Sequence, residues 1–194
     1  LSTSGIETTK FNSLISNKVE EKKNINLKLN TIKFKIDPSE LRLFLETQDP
    51  EIIYKEVTLP AQNVKVYIDF LSILKSNFKI KKISLIFKEL DINQIKKISS
   101  LIKPSNSKSF LNNKIKQGKV NTEVEIFLSD QGSFQNFIAK GKISDLEVEL
   151  INNYKFSGAN LNFFADKNDI LIQNIKADLQ EIRISNGDIK LNFE

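Results

Sequence analysis

From Gly118 to the last residue the chain places an apolar side chain on almost every second position. Val120, Val124 and Ile126 are followed by the run from Phe134 to Ile143, and then by Leu146, Val148 and Leu150. Leu161 and Phe163, Ile170 and Ile172, and Ile175, Ala177 and Leu179 continue the pattern, which closes with Ile182, Ile184, Ile189, Leu191 and Phe193. A helix buries residues three and four apart, so period two over this length predicts strands, each apolar on one side and polar on the other. The one-residue shifts, as between Ile172 and Ile175, predict β-bulges that bend a sheet.

Upstream the same period recurs at Leu27 and Leu29, at Ile32, Phe34 and Ile36, at Leu41, Leu43 and Leu45, and at Ile83, Leu85 and Phe87. Looser strands are expected around IIYKEVTL and VKVYIDF. Turn chemistry then sets pairings. With Pro38-Ser39 as a tip, Ile36 faces Leu41, Phe34 faces Leu43 and Ile32 faces Leu45. With Lys167-Asn168 as a tip, Ala165 faces Ile170 and Phe163 faces Ile172. Asn186-Gly187 carries the strongest short-range hairpin signal, and as a tip it sets Ile184 against Ile189 and Ile182 against Leu191.

Helices are expected in the N-terminal half. SGIETTKFNSLISNKVEEK puts Phe11, Leu14, Ile15 and Val19 on one face, and DFLSILKSNF does so for Phe70, Ile73 and Leu74. DINQIKKISSLI begins with a capping box, Asp91 with Gln94, and buries Ile92, Ile95, Ile98 and Ile102. SFLNNKIKQ adds a helical turn or two. The fold class is therefore mainly β with a few short helices (α+β): an antiparallel meandering sheet, curved into an apolar groove or a clam-like roll. Residues 1–194 form one elongated domain or fragment. A sub-boundary at the polar segment 103–109 separates a helix-containing first part, 1–102, from a mostly β meander, 110–194.

What is missing narrows the chemistry. There is no cysteine and no histidine, which excludes Ser-His-Asp and Cys-His relays and His- or Cys-ligated zinc. Asp145, Glu147 and Glu149 alternate with Leu146, Val148 and Leu150, so they form the wet side of one strand and not an acid–base pair. No enzyme activity, metal or cofactor is expected. The net charge of +5 comes from lysines strung along strands, such as Lys28, Lys33 and Lys35; they read as a solvated outer face that discourages edge pairing, and no nucleic acid is implied. Methionine is absent even from position 1, so a processed chain or a piece of a longer one is expected, with any membrane anchor outside it.

An apolar sheet face needs a cover: a second sheet, helices, its own curvature or a ligand. Several stretches resemble the AsmA-like and TamB-like envelope proteins, namely SGIETTKFNSLISNKV, INLKLNTIKFKI, VYIDFLSILKSNFKIKKISLIF, SDLEVEL and NIKADLQEIRISNGDIKL. The resemblance lies in apolar alternation and short helices, with few fixed residues. It implies a repeating β-groove whose apolar face carries phospholipid acyl chains, in the periplasm or cell envelope of a Gram-negative bacterium. It further implies an inner-membrane anchor in the full-length protein, and a role in lipid transport between inner and outer membranes or in outer-membrane biogenesis. Expected partners are a phospholipid or other acyl-chain lipid, membranes through segments outside this chain, and adjacent strands of a longer polypeptide. The expected groove lining is Leu146, Val148, Leu150, Leu161, Phe163, Ile170, Ile172, Ile182, Ile184, Ile189, Leu191 and Phe193. A dozen strands at ~4.8 Å spacing would span only about 50–60 Å, one segment of such a bridge. The alternative is a β-sheet interaction or envelope-assembly domain without lipid transport.

Overall fold

The computed structural model describes residues 6–8, 12, 25–37, 42–69, 79–101, 103–150 and 154–192. The chain is mainly β, with two short helices among these residues. It forms two compact units: Leu1–Phe87 with Val124–Phe137, and Lys88–Glu123 with Ile138–Glu194.

In the first unit, β1 (Ile6–Thr8), β3 (Ile32–Asp37), β4 (Arg42–Gln48), β7 (Ala61–Ile68) and β8 (Ile80–Phe87) lie side by side in that order. Each neighbouring pair is antiparallel. A separate small sheet joins β2 (Ile25–Lys28), β5 (Glu51–Tyr54) and β6 (Val57–Leu59). The β5–β6 turn consists of Lys55 and Glu56, with φ of 46° and 67°. Two positive φ values in a two-residue loop match the right-handed twist of the flanking strands, so the turn closes without glycine.

Two sequence expectations change here. The hairpin after β3 pairs Ile36 with Leu43, Phe34 with Leu45 and Ile32 with Thr47, and Asp37 opposite Arg42 is its last pair. Residues 38–41 thus make the connection, four residues instead of two, and the register moves by two. An even displacement leaves every side chain on its predicted face. The opening helix does not reach back over residues 6–8, which are a strand paired to β3, Ile6 opposite Phe34 and Thr8 opposite Ile32, whereas Asn12, inside the expected span, is helical. Isoleucine and threonine are branched at Cβ and suit a ladder better than a helix turn. Phe11, Leu14, Ile15 and Val19, and the second expected helix with Phe70, Ile73 and Leu74, lie outside the described residues.

The two sides of the first sheet are not simply wet and dry. The rows Phe34–Leu45–Val66–Ile83 and Ile32–Thr47–Val64–Leu85 are apolar apart from Thr47. The opposite side, expected to be solvated, carries the row Lys35–Phe44–Tyr67–Lys82. Phe44, Glu46, Tyr67, Lys82 and Ser84 are all buried there. Phe44 and Tyr67 stack at 5.3 Å between centroids, and the Lys82 ammonium lies 4.3 Å from the centre of the Tyr67 ring. Aromatic surface accepts the lysine stems, and the charged ends find partners: Lys82 Nζ to Glu125 Oε1 at 3.0 Å and Lys35 Nζ to Glu46 Oε2 at 2.5 Å. Lys35 thus serves the packing of this side, whereas Lys28 stays exposed beside Glu51.

The second unit contains β9 (Leu90–Asp91), α1 (Ile92–Ser100), α2 (Asn106–Lys114), β12 (Lys155–Asp166), β13 (Asp169–Leu179), β14 (Ile182–Ile184) and β15 (Ile189–Asn192). The long strands β10 (Ile115–Leu128) and β11 (Phe134–Glu149) run through both units. Within the second, β10, β11, β12 and β13 follow one another, and β9 pairs with β10. Helix α1 starts at the predicted capping box: Asp91 Oδ1 accepts from the backbone N–H groups of Asn93 and Gln94, and Gln94 Oε1 accepts from that of Asp91. Ile92 is buried, Ile95 and Ile98 are half-buried, and Ile102 is outside the described residues. The polar loop is shorter than 103–109, because Ser105 Oγ accepts the Lys108 N–H and caps α2 at once.

The Lys167-Asn168 hairpin has its expected register, Ala165 opposite Ile170 and Phe163 opposite Ile172. The last hairpin does not. β14 and β15 both pair with β13, Ile184 opposite Ala177, Ile182 opposite Leu179, Ile189 opposite Ile172 and Leu191 opposite Ile170. They are two halves of one edge strand in one register, interrupted at 185–188. The turn is Gln180-Glu181, with Gln180 at φ 54°. Asn186-Gly187 is therefore a break in a strand and not its tip, and Ile184 and Ile189 are neighbours along the strand instead of across it. The apolar period of residues 182–191 is the same in both arrangements, so alternation could not separate them.

Candidate functional site

The predicted lining residues all fall in the second unit, and register places those other than Leu150 and Phe193 on its apolar side, most of them in rows. One row runs Gly141–Phe163–Ile172–Ile189 and the next Ala139–Ala165–Ile170–Leu191. A third runs Val148–Phe156–Leu179–Ile182. Bulges make these rows continuous despite the shifts in sequence. Asp145 (φ 51°), Gly158 (φ 58°) and Asn174 (φ 55°) sit where the ladder slips a residue. Each bulge returns the next apolar residue to the same side, so Ile175 and Ala177 follow Ile172 into the interior.

Exposure is graded along the rows. Val148 and Leu161 are buried, and Leu146, Phe163, Ile170, Ile172 and Ile184 are half-buried. At the edge strand Ile182 is 64% exposed, and Ile189 and Leu191 are each 48% exposed. Leu150 lies just beyond β11 and is exposed, and Phe193 is outside the described residues. Among the described residues no large side chain is buried completely. Two contributors, Phe156 and Ala159, escaped the sequence reading because the Gly158 bulge between them breaks the period. The signal that could have found them is that glycine inside an apolar run.

Gly141 is a point of close approach on this side. A β-carbon there would lie 2.1 Å from the Asn121 carbonyl oxygen and 3.0 Å from the Phe163 ring. Absence of a side chain at 141 lets the Phe163 ring lie over the neighbouring strand.

Charges frame the unit on its other side. Lys116 Nζ pairs with Glu149 Oε2 at 2.9 Å and Lys190 Nζ with Asp169 Oδ2 at 2.9 Å. The Lys116 hydrogen bond and charge hold the Glu149 carboxyl below its ordinary range. At the 167–168 turn the Asp166 carboxylate accepts the N–H groups of Asn168 and Asp169, which lowers its pKa in the same way. Asp145 is exposed, and Glu147 pairs with Lys155 at 3.8 Å. Among the described residues no group of three Asp or Glu side chains is placed to hold a metal, and no helix is long and apolar enough to cross a membrane.

A second feature lies in the first unit, a recess of about 310 Å³ lined by Asn30, Thr31, Lys33, Glu46, Gln48 and Asp49. Its walls are polar, and Asn30 spans it with hydrogen bonds from Nδ2 to the carbonyls of Gln48 and Asp49. Burial raises the Glu46 pKa, but hydrogen bonds from Lys35 and Asn63 and the charges of Lys35 and Lys65 outweigh it, so the net displacement is downward. An ionised Glu46 already committed to three side chains closes this recess to acid–base chemistry.

No protein-family model, curated protein or solved structure matches the chain.

Proposed function

We propose that the apolar side of the second unit binds the acyl chains of a phospholipid or similar lipid, as one segment of an AsmA-like bridge. On this reading the whole protein works in the periplasm of a Gram-negative bacterium, anchored in the inner membrane through a segment outside this chain, and serves lipid traffic to the outer membrane. One observation carries it: the apolar side passes from buried Val148, Ala159, Leu161, Ile175 and Ala177 to exposed Ile182, Ile189 and Leu191 at the edge strand. Acyl chains form no hydrogen bonds, so they need an apolar wall whose backbone groups are already paired, and the ladder from β11 to β13 is such a wall. Each methylene taken from water by that wall contributes about 0.8 kcal/mol, so a contact of several carbons outweighs the ordering of the chain.

The test is a photo-crosslinking residue at Phe163 or Ile184, with a control at Lys176 on the opposite side, followed by mass spectrometry of lipid adducts. Adducts at the first two positions and not at Lys176 are expected. Equal labelling, or none, would refute the reading.

A second reading, a sheet-interaction or assembly domain, is favoured by one feature. Among the described residues the β14–β15 edge pairs only with β13, and an open edge can accept a strand from another chain. Substituting proline at Lys190 would abolish partner capture on this reading and leave lipid adducts at Phe163 intact.

A further inference from the structure

We propose that Asn186 is a site of spontaneous covalent modification in the folded chain, cyclising with Gly187 and opening to aspartate or isoaspartate. The chemistry needs no added reagent but water. The deprotonated Gly187 nitrogen bonds to the Asn186 side-chain carbonyl carbon, the bond to Nδ2 breaks, and ammonia leaves with the proton. Water then opens the five-membered ring at either carbonyl. Attack at one returns the normal backbone with an aspartate, and attack at the other leaves isoaspartate, which routes the main chain through the former side-chain carbon. A residue without a β-carbon gives the nitrogen its closest approach.

Asn186-Gly187 is the sole Asn-Gly pair in the sequence, and the fold leaves it open. Residues 185–188 belong to no strand, and Asn186 is exposed. β13 grips this break from one side only: the Ile175 N–H donates to the Gly187 carbonyl at 2.9 Å, and the Asn174 N–H donates to Asp188 Oδ1 at 2.9 Å. Both bonds engage acceptors. The Gly187 N–H, which is the nucleophile, and the Asn186 side-chain amide have no partner among the described residues. Asparagines elsewhere are more tightly held, such as Asn121 and Asn160, which lie within strands and donate through Nδ2 to Glu89 Oε2 and the Gly158 carbonyl.

The position couples the chemistry to the edge strand. From Ile184 to Ile189 is as many residues as from Ala177 to Ile172, the stretch of β13 opposite, so β14 and β15 keep one register. Isoaspartate lengthens the upper path by a main-chain carbon and mismatches the two. β15 then loosens from β13, while β14, held by the turn at 180–181, stays paired.

The experiment ages the purified chain at mildly alkaline pH. It follows isoaspartate by peptide mapping and isoaspartate-specific enzymatic methylation, and β15 by amide hydrogen exchange. The expected result is accumulation at Asn186 several-fold faster than at any other asparagine, a several-fold fall in Gly187→Ala, and lost protection confined to residues 189–192. Alanine fits at 187, since its β-carbon would meet Ile175 and Ile184 at 3.8 Å; Asn186→Gln, whose longer side chain cyclises slowly, is the second variant. A rate equal to that of other exposed asparagines, or unchanged in Gly187→Ala, overturns the site. Modification with β15 protection intact overturns its coupling to the strand. None of these outcomes depends on lipid binding.

Discussion

Gly141→Ala reports directly on the register that builds the candidate site. In an ordinary strand interior alanine is better than glycine by roughly 0.5–1 kcal/mol, because glycine loses more backbone freedom on folding. Here the sign should reverse. The new β-carbon would lie 2.1 Å from the Asn121 carbonyl oxygen and 3.0 Å from two atoms of the Phe163 ring. Even close carbon–oxygen contacts in sheets are about 3.3 Å, so the β10–β11 ladder must open by more than about 1 Å. Loss of a backbone hydrogen bond costs about 1 kcal/mol, and overpacking a further 1–3 kcal/mol. Set against the roughly 0.5–1 kcal/mol gain of alanine, these two costs leave a net destabilisation of about 1–3.5 kcal/mol. With a urea slope of about 2 kcal/mol/M the midpoint of the second unit falls by about 0.5–1.7 M. Phe163→Leu separates the two contacts, since it removes the ring and leaves the carbonyl. The double variant should retain most of the loss, with a coupling energy below about 1 kcal/mol. Neutral or stabilising Gly141→Ala would refute the register, and full rescue by Phe163→Leu would refute the carbonyl as the decisive contact.

Three further outcomes are expected. In a chain without native cysteine, Ala177→Cys with Ile184→Cys should oxidise to a disulfide, because directly opposed residues come within the roughly 4.4–6.8 Å a disulfide spans, whereas Ile184→Cys with Ile189→Cys should not; the reverse pattern on non-reducing gels would restore a hairpin tip at Asn186-Gly187. Thr47→Val should stabilise by about 1 kcal/mol, because it removes a hydroxyl with no partner among the described residues from the apolar row Ile32–Val64–Leu85 at nearly constant shape; thermal melting that shows a loss would contradict the burial. Glu46 ionises below its ordinary 4.5 in the folded chain, so its contribution is full above the unfolded value and is lost as pH falls through the folded one. Glu46→Gln should cost about 1–2 kcal/mol near neutrality, discounted from a fully buried pair because Lys35 and Lys65 are partly solvated. The difference from the parent should shrink in acid, and a pH-independent gap would count against the ion pair.

How far the fold could be read from sequence depended on the kind of signal. The Asp91–Gln94 box and the 167–168 turn are local: a few residues supply their own hydrogen-bond partners, and both appear where the spacing placed them. The bulges at Asp145 and Asn174 were legible for a different reason, since a shift in apolar phase has to be absorbed by an extra residue in the backbone. The first hairpin failed by two residues because Pro38-Ser39 marks a connection without fixing its length. The last failed because an Asn-Gly pair suits any place where the chain leaves its ladder, and a break in an edge strand meets that condition as well as a tip does. The burial of Phe44 and Tyr67 beside Lys82 was illegible for a third reason: period two assigns a side by the commonest residue on it, and lysine stems over aromatic rings pack as apolar surface.

The site poses the same problem at a larger scale. Alternation says which side of a strand is apolar, but a protein interior and a lipid-binding wall alternate identically, so alternation alone does not separate them. In the second unit Leu161 and Val148 are closed, whereas Ile182, Ile189 and Leu191 at the edge are half open or more. The edge strand is also lightly held, through a ladder interrupted at 185–188 and a β15 whose four residues are all exposed. Local opening free energies follow such differences in burial and pairing. If the apolar rows take up an acyl chain as proposed, it would meet least resistance past β15, and weakening that strand should speed lipid entry more than it alters the rows from Gly141 to Ile172. Stopped-flow uptake of a fluorescent fatty acid by Leu191→Ala and Phe163→Ala separates the two: the first should raise the association rate, and the second should raise the dissociation rate. Matching effects on both rates would place entry elsewhere.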